Sequence, residues 1–252
     1  GFESERGLPI DRISIMQSAS TNFETNLSLT RVIRTRTSVS VFGTGFFLSF
    51  GLMALLQHLP AFAKSIGLEE EQGTRILSWA GLTMIIGNIG FGFVEDCIGP
   101  IQLLRLLLFT LTCLIFAWPY CYNEITLRLL ALIYGGCLIV SFNLPLVIFA
   151  NAFGTASPTA ILHLSGLLNV ITVPGYLLGP AIVGYLYDLF GNYRTGSIFA
   201  GTSLLLSFIF IYFCLHPDEQ KRCLGIYQEP KGCVLRLTTS IITISKSLLA
   251  SR

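Results

Sequence analysis

The chain has 252 residues, of which 52% are hydrophobic and 12% charged, and its formal net charge is +2. Its mean hydropathy of +0.69 lies outside the usual range of soluble domains. The composition therefore argues against a soluble protein, and the small net charge gives no indication of a nucleic-acid partner.

Six long apolar stretches follow one another, and the links between them are too short to hold a domain. About 20 apolar residues cross a bilayer as a helix, because lipid offers the backbone no hydrogen-bond partners. Stretches such as Leu103 to Trp118 are apolar on every face, which excludes the alternating pattern of a membrane barrel. We therefore predict an all-α membrane protein with six transmembrane helices, near residues 41–63, 76–94, 102–121, 127–150, 161–187 and 196–215.

Basic residues are concentrated on one side of the predicted membrane. Arg31, Arg34 and Arg36 directly precede the first span. Because successive spans cross the membrane in opposite directions, every second link lies on the same side as these residues. The segments on that side carry most of the other Lys and Arg residues. The positive-inside rule places such segments in the cytosol. We therefore expect a multi-pass protein with both termini in the cytosol, and we expect the plasma membrane as its location.

An eight-residue pattern occurs twice, at the ends of the second and fifth spans. Residues 92–99 and 184–191 both read G-x3-D-x2-G, and three spans separate them. Each copy places a carboxylate, Asp96 or Asp188, at the membrane edge, followed by a glycine that can turn the chain into the next helix. Repeated three-helix units are a signature of secondary transporters.

The stretch at 179–193, GPAIVGYLYDLFGNY, resembles the link between the last two helices of the monocarboxylate transporter family of the major facilitator superfamily. The resemblance extends over residues 40–215, and its order matches helices seven to twelve of that twelve-helix fold. It implies one half of a major facilitator superfamily fold, the carboxyl-terminal six-helix half. Shorter similar stretches are LPAFAKSIGL at 59–68, ILSWAG at 76–81, and Gly135-Gly136.

The resemblance also implies an organisation and a function. Residues 1–38 are interpreted as the end of the cytosolic loop between the two halves, 39–215 as the transmembrane bundle and 216–252 as a cytosolic tail. The implied function is gradient-driven, alternating-access transport of a small organic solute, preferably a monocarboxylate-like acid. The expected partners are the solute, the lipid bilayer, and a missing amino-terminal half or a second subunit. Two alternatives stay open: a non-transporting truncated membrane protein that acts through a partner subunit, and a half-size transporter that forms a homodimer.

Polar residues inside the predicted spans are candidates for contact with the solute, because they are costly in lipid. Asn88 lies at mid-depth in the second span, Asn143 in the fourth and Asn169 in the fifth. The resemblance aligns Met84 and Asn88 with an Asp and an Arg of proton-coupled family members, so Met84 joins the predicted solute-binding set although neither residue is charged. The alternative for the three Asn residues is hydrogen bonding between helices, worth about 0.6 kcal/mol each.

Other residues are candidates for a conformational role. We predict this role for Gly92 and Asp96 in the first motif, for Gly184 and Asp188 in the second, and for Arg105. Arg105 lies one turn into the third span, and we predict that it pairs with Asp96 or with the Glu before it, across the short link. Such a pair would hold the cytosolic ends of two spans together in one transport state.

Two prolines and one polar pair complete the predictions within the spans. Pro145 and Pro174 lie at mid-span, where each breaks the backbone hydrogen-bond ladder and marks either a kink for packing or a hinge beside a site. Gln57 and His58 lie near the outer end of the first span, where they either meet solute at an outer mouth or are ordinary interfacial residues.

The sequence contains none of the common catalytic motifs. It has no HExxH, no GxSxG, no glycine-rich phosphate loop and no His/Cys cluster at metal-ligand spacing. We therefore expect no enzyme activity, no cofactor and no metal site.

Overall fold

Residues 33–153 and 158–214 are described by the computed structural model of the chain. Within these ranges the chain forms seven α-helices and no strand. The predicted tail at 216–252 lies outside the described residues, and so does the predicted loop at 1–38 apart from its last six residues. The helices are α1 (Arg36–Leu52), α2 (Ala54–Ser65), α3 (Glu70–Ile98), α4 (Pro100–Ala117), α5 (Glu124–Phe153), α6 (Pro158–Phe190) and α7 (Arg194–Ile209).

Six segments of the described chain are long and apolar enough to cross a membrane, which confirms the six predicted spans. The first span combines α1 and α2, and the other five correspond to α3 to α7 in order. Their ends differ from the predicted ends by only a few residues. The spans are Arg36–Ser65, Glu70–Ile98, Pro100–Tyr120, Glu124–Ala152, Ile161–Phe190 and Arg194–Tyr212.

Glycines with positive φ turn the chain after the second and fifth spans. Gly99 has φ +83° and Gly191 has φ +66°, a region that side chains with a Cβ rarely adopt. This confirms the turning role predicted for the last glycine of each motif. Successive spans cross a membrane in opposite directions, so the links at Gly67, Cys121 and Gly191 share one end of the bundle, here called the Gly191 end. The opposite end is called the Gly99 end.

The first span is divided into two helices, whereas the spans that contain Pro145 and Pro174 each form one helix. Both prolines lie inside these helices, and whether they form a packing kink or a hinge stays a prediction. Neighbouring helices can satisfy the backbone groups that proline leaves unbonded. The helical run instead stops at Met53, between α1 and α2. There the fully buried Tyr134 of α5 donates its hydroxyl hydrogen to the Leu52 carbonyl oxygen.

α3 and α5 pack with their backbones in contact. A Cβ atom on Gly87 would lie 2.3 Å from the carbonyl oxygen of Gly136, and one on Gly135 would lie 2.3 Å from that of Ala80. Glycine is therefore required at these positions if the two helices are to approach this closely. The second and fourth spans form one closely packed pair.

Two further pairs of spans are joined in similar ways. A Cβ atom on Gly179 of α6 would lie 2.3 Å from the Phe50 carbonyl oxygen of α1. The Ser197 hydroxyl of α7 donates to the Ile115 carbonyl oxygen of α4. The core between these pairs is filled largely by the buried leucines of α4, which are Leu103, Leu104, Leu107, Leu108 and Leu111.

Candidate functional site

Two of the predicted solute-binding residues form a hydrogen bond between spans. The Asn143 side chain on α5 donates from Nδ2 to Oδ1 of Asn88 on α3, over 3.3 Å. Both side chains are exposed. An amide carries two N–H donors and an acceptor oxygen with two lone pairs, so one such bond leaves each residue able to bind a second partner. The pair can therefore act both as a contact between helices and as a contact for a solute.

A cavity of about 130 Å³ lies beside this pair, between α1, α5 and α6. For scale, an engineered cavity of about 150 Å³ holds benzene, so the space fits a group of about six non-hydrogen atoms. Asn143 and Asn169 both reach the cavity wall, which brings together a second pair of predicted residues. The other lining residues include Phe142, Ser165, Thr172 and Tyr176, with Gly45, Leu48, Pro145, Leu146 and Leu168 completing the wall.

The cavity wall is polar but neutral. Among the described residues that line it there is no Asp, Glu, Lys, Arg or His. The hydroxyls of Ser165 and Thr172 donate to backbone carbonyl oxygens of their own helix. The carboxamides of Asn143 and Asn169 and the hydroxyl of Tyr176 are therefore the wall groups that remain able to donate to a solute.

The four predicted solute-binding residues do not all share the cavity. Asn88 is linked to the cavity through Asn143 and does not line it. Met84, one turn earlier on α3, is half-buried and packs against the hydrophobic core. Only Asn143 and Asn169 line the cavity directly.

Sequence reasoning did not select Tyr176 and Phe142 as cavity residues. Tyr176 follows Asn169 and Thr172 at a spacing of seven and four residues, which places all three on one face of α6. That helical spacing is a signal in the sequence that points to Tyr176. Phe142 directly precedes Asn143, and its ring centroid lies 5.9 Å from that of Tyr176, so the two rings close the cavity between α5 and α6.

At the Gly99 end, Arg105 contacts the sixth span. Its Nη2 donates to the Ile211 carbonyl oxygen over 3.3 Å, and its guanidinium carbon lies 5.1 Å from the centre of the Tyr212 ring. Among the residues that the structure describes, no ion pair joins Arg105 to Asp96 or to Glu95, so the predicted pairing is not present there. The reason is that Arg105 projects toward the end of α7 and not across the link toward α3. A gating role for Arg105, Asp96 and Gly92 stays a prediction.

At the Gly191 end, a contact joins the first span to the second motif. His58 of α2 approaches the Pro180 carbonyl oxygen of α6, with Nε2 2.9 Å away. The same ring lies beside Gly184, where an added Cβ atom would be 3.4 Å from His58 Cε1. Asp188 is exposed one turn further along. Gly184 and Asp188 therefore lie near a contact between spans, and their conformational role stays a prediction.

Comparison with known proteins identifies the family to which the chain belongs. No family model matches the chain. The chain is 30% identical over 175 residues to monocarboxylate transporter 13 of Rattus norvegicus, which covers 69% of this chain and 39% of that protein. The chain belongs to the monocarboxylate transporter family. Monocarboxylate transporter 12 is 25% identical over 187 residues in Rattus norvegicus and 26% identical over 178 residues in Homo sapiens, covering 70% and 66% of this chain.

Membership of this family agrees with the helical architecture. The described part of the chain, with six apolar spans and no strand, has the all-α membrane fold of one half of a major facilitator superfamily transporter. The matched region covers 39% of the rat transporter 13 and 36% of the rat transporter 12, so the chain spans well under half the length of these relatives. The relatives are named as transporters, which makes this chain a membrane protein of a transporter family.

Proposed function

We propose that this chain is the carboxyl-terminal six-helix half of a secondary transporter that moves a small organic solute by alternating access. The observation that carries the proposal is the cavity between α1, α5 and α6, whose wall includes Asn143 and Asn169, in a chain of the monocarboxylate transporter family. Its volume suits a molecule, or the end of a molecule, of about six non-hydrogen atoms. Energy comes from a solute or ion gradient, and the chain is not an enzyme.

A monocarboxylate-like acid is the preferred solute, on the basis of the relatives' names. A carboxylate accepts hydrogen bonds, and the carboxamides of Asn143 and Asn169 supply N–H donors. Its charge calls for a cationic partner, because charge-assisted bonds are roughly twice as strong as neutral ones. The wall in this half is neutral, so we propose that the cationic partner belongs to the amino-terminal half, which faces the same solute.

Membrane placement follows the charge pattern. We propose that the Gly99 end faces the cytosol, that both termini of the chain lie on that side, and that the protein functions in the plasma membrane. The basic residues before the first span support this orientation. The Lys64→Cys variant is expected to be labelled by a membrane-impermeant maleimide in intact cells, because Lys64 is exposed beside the link at Gly67, on the proposed outer face.

The test of the site is uptake by the complete transporter with Asn143→Ala. The exchange removes a hydrogen bond to the solute, worth about 0.5–1.5 kcal/mol, so kcat/KM is expected to fall by a factor between about 2 and 13. Proteoliposomes would be offered radiolabelled acetate, lactate, pyruvate and small neutral metabolites at matched protein content. Asn123→Ala is the matched control, because Asn123 is an exposed Asn in the link before α5. Uptake that is equal for Asn143→Ala and the control would contradict the proposed site.

A second candidate is a half-size membrane protein that works through a partner subunit or as a homodimer. The exposure of α3 favours this candidate. In an 18-residue apolar stretch of each helix, 11% of the stretch is buried in α3, whereas 56% is buried in α5. Ile85, Ile86 and Ile89 are each at least 60% exposed on this helix. The native size on a denaturing gel, probed with an antibody against residues 228–236, separates the candidates: a band near twice 27.7 kDa favours the first and a band near 27.7 kDa favours the second.

A further inference from the structure

We propose that His58 binds a proton between the first and fifth spans, and that this proton tightens the contact between α2 and α6. His58 Nε2 lies 2.9 Å from the Pro180 carbonyl oxygen, a distance typical of a hydrogen bond. A carbonyl oxygen only accepts, so His58 donates from Nε2, either as the neutral tautomer with hydrogen on Nε2 or as the cation. The contact can therefore exist in both protonation states, with different strength.

The direction of the effect follows from the chemistry of the bond. When Nδ1 also gains a proton, the ring becomes an imidazolium, and a hydrogen bond from an ionised donor is roughly twice as strong as a neutral one. The ring of Tyr193 lies 5.8 Å from that of His58 between centroids, and an aromatic face within about 6 Å attracts a cation. Both interactions are stronger with the cationic ring than with the neutral ring, so the cation holds α2 and α6 together more tightly. Acid is therefore expected to hold these two helices in contact.

The position of the contact gives it consequences for the cavity. His58 lies on α2, directly beyond the interruption at Met53, while α1 on the other side of the interruption lines the cavity with Gly45 and Leu48. Pro180 lies on α6, the helix that contributes Asn169 and Tyr176 to the same wall. The proton thus acts on the two spans that form one side of the cavity. It does not need to touch the solute to change their separation.

Few other groups near His58 change their charge in the relevant range. Burial, with a contribution from Tyr187 and Asp188, raises the pKa of Tyr193 to about 12, so this phenol stays neutral. Carboxylates ordinarily titrate near pH 4 and Lys and Arg above pH 10, whereas an imidazole titrates near pH 6.5. α1 has no ionisable side chain between residues 37 and 52. The ionisable groups on the elements packed around α2 at this end are Glu69, Glu70, Glu71 and Arg75 of α3 and its link, Tyr187 and Asp188 of α6, Tyr193, and Lys64 of α2 itself.

A tryptophan in the same cluster offers a direct readout. Trp118 is fully buried, and its ring lies 5.3 Å from Tyr193 and 5.3 Å from Phe62 of α2, between centroids. The chain has two tryptophans, so Trp79→Phe leaves Trp118 as the single reporter. Because Trp118 touches both sides of the contact through these two rings, a change in the separation of α2 and α6 alters its surroundings.

The experiment measures Trp118 emission in the Trp79→Phe chain, in lipid nanodiscs, between about pH 8 and pH 5. We expect one reversible transition that is retained in His163→Gln and His216→Gln, the other two histidines of the chain, and lost in His58→Gln. Glutamine keeps an N–H donor but does not titrate. A transition that persists in His58→Gln, or its absence from the parent chain, would overturn the proposal.

A second measurement does not depend on any variant being folded. In the wild-type chain labelled with ¹⁵N at histidine, the His58 imidazole is expected to gain its second proton in the same pH interval as the Trp118 transition. His58 remaining neutral down to about pH 5 would contradict the proposal. Neither measurement requires transport. The proposal for His58 can therefore fail while the proposed transport function holds, and the transport function can fail while the proposal for His58 holds.

Discussion

The fourth span has two contrasting sides. On the side of α3, glycines bring the two backbones together, and Gln72 Nε2 also donates to Glu124 Oε2 over 3.1 Å near the Gly191 end. On the side of α6, a cavity of about 130 Å³ separates the helices, and Asn143 is one of the residues that line it. One helix is thus fixed to its neighbour on one face and lines a solute-sized space on the other.

This contrast indicates how one bundle of helices can combine a closely packed pair with a cavity. Backbone-to-backbone contact leaves little freedom, because any separation exposes a long row of van der Waals contacts. A polar cavity between helices permits local movement at low cost. The pair of α3 and α5 is therefore expected to behave as a rigid support, while the boundary of α5 with α1 and α6 adapts to the solute.

Gly87→Ala is expected to have the largest effect, because it disrupts the close packing of α3 against α5. The new methyl group would lie 2.3 Å from the Gly136 carbonyl oxygen, and backbone atoms cannot move aside as a flexible side chain can. Overpacking of this kind costs about 1–3 kcal/mol. The free energy of unfolding, measured by titrating the protein in mild detergent with SDS, is expected to fall by that amount. Gly90→Ala on the same helix is the control, since nothing lies within 4 Å of a Cβ atom there.

Tyr134→Phe is expected to have the next largest effect. It removes the hydroxyl that donates to the Leu52 carbonyl oxygen at the interruption of the first span. A buried acceptor left without its donor costs about 1–2 kcal/mol. The same SDS titration measures the loss. Tyr185→Phe, at a tyrosine that is 63% exposed, should be nearly neutral, and equal losses for the two variants would show that the Tyr134 contact does not stabilise the fold.

The smallest effect on stability is expected from Asn143→Ala, on the open side of α5. The bond from Asn143 to Asn88 is exposed, and hydrogen bonds between membrane helices average about 0.6 kcal/mol. The variant should therefore unfold within about 0.6 kcal/mol of the wild type while its transport falls. A loss as large as that of Gly87→Ala would mean that Asn143 supports the scaffold and is not specialised for solute.

The six spans could be predicted from the sequence because lipid imposes a length and a composition on each one. Asn143 and Asn169 could be selected from the sequence because an amide inside a span is costly unless it has a function or a partner, and both line the cavity, while their contact with a solute stays a prediction. The interruption at Met53 could not be predicted from the local sequence. The residue that contacts it, Tyr134, lies far along the chain and donates a hydrogen bond to the Leu52 carbonyl oxygen.

Other misses share this long-range origin. Arg105 was assigned to the nearest carboxylates in the sequence, but it contacts the Ile211 carbonyl oxygen, 106 residues away. The contact of His58 with Pro180 joins residues separated by 122 positions, and neither residue alone signals it.

The most direct test of the central claim is solute uptake by cells that express this chain together with the amino-terminal half of monocarboxylate transporter 13. The account predicts uptake of a radiolabelled small solute, from a panel of monocarboxylates and neutral metabolites, when both halves are present in the membrane, and background uptake with either half alone. Undiminished uptake by this chain alone would contradict the claim that it is one half of the site and would favour a homodimer. Background uptake of the whole panel by the assembled pair would contradict the claim that it transports such solutes.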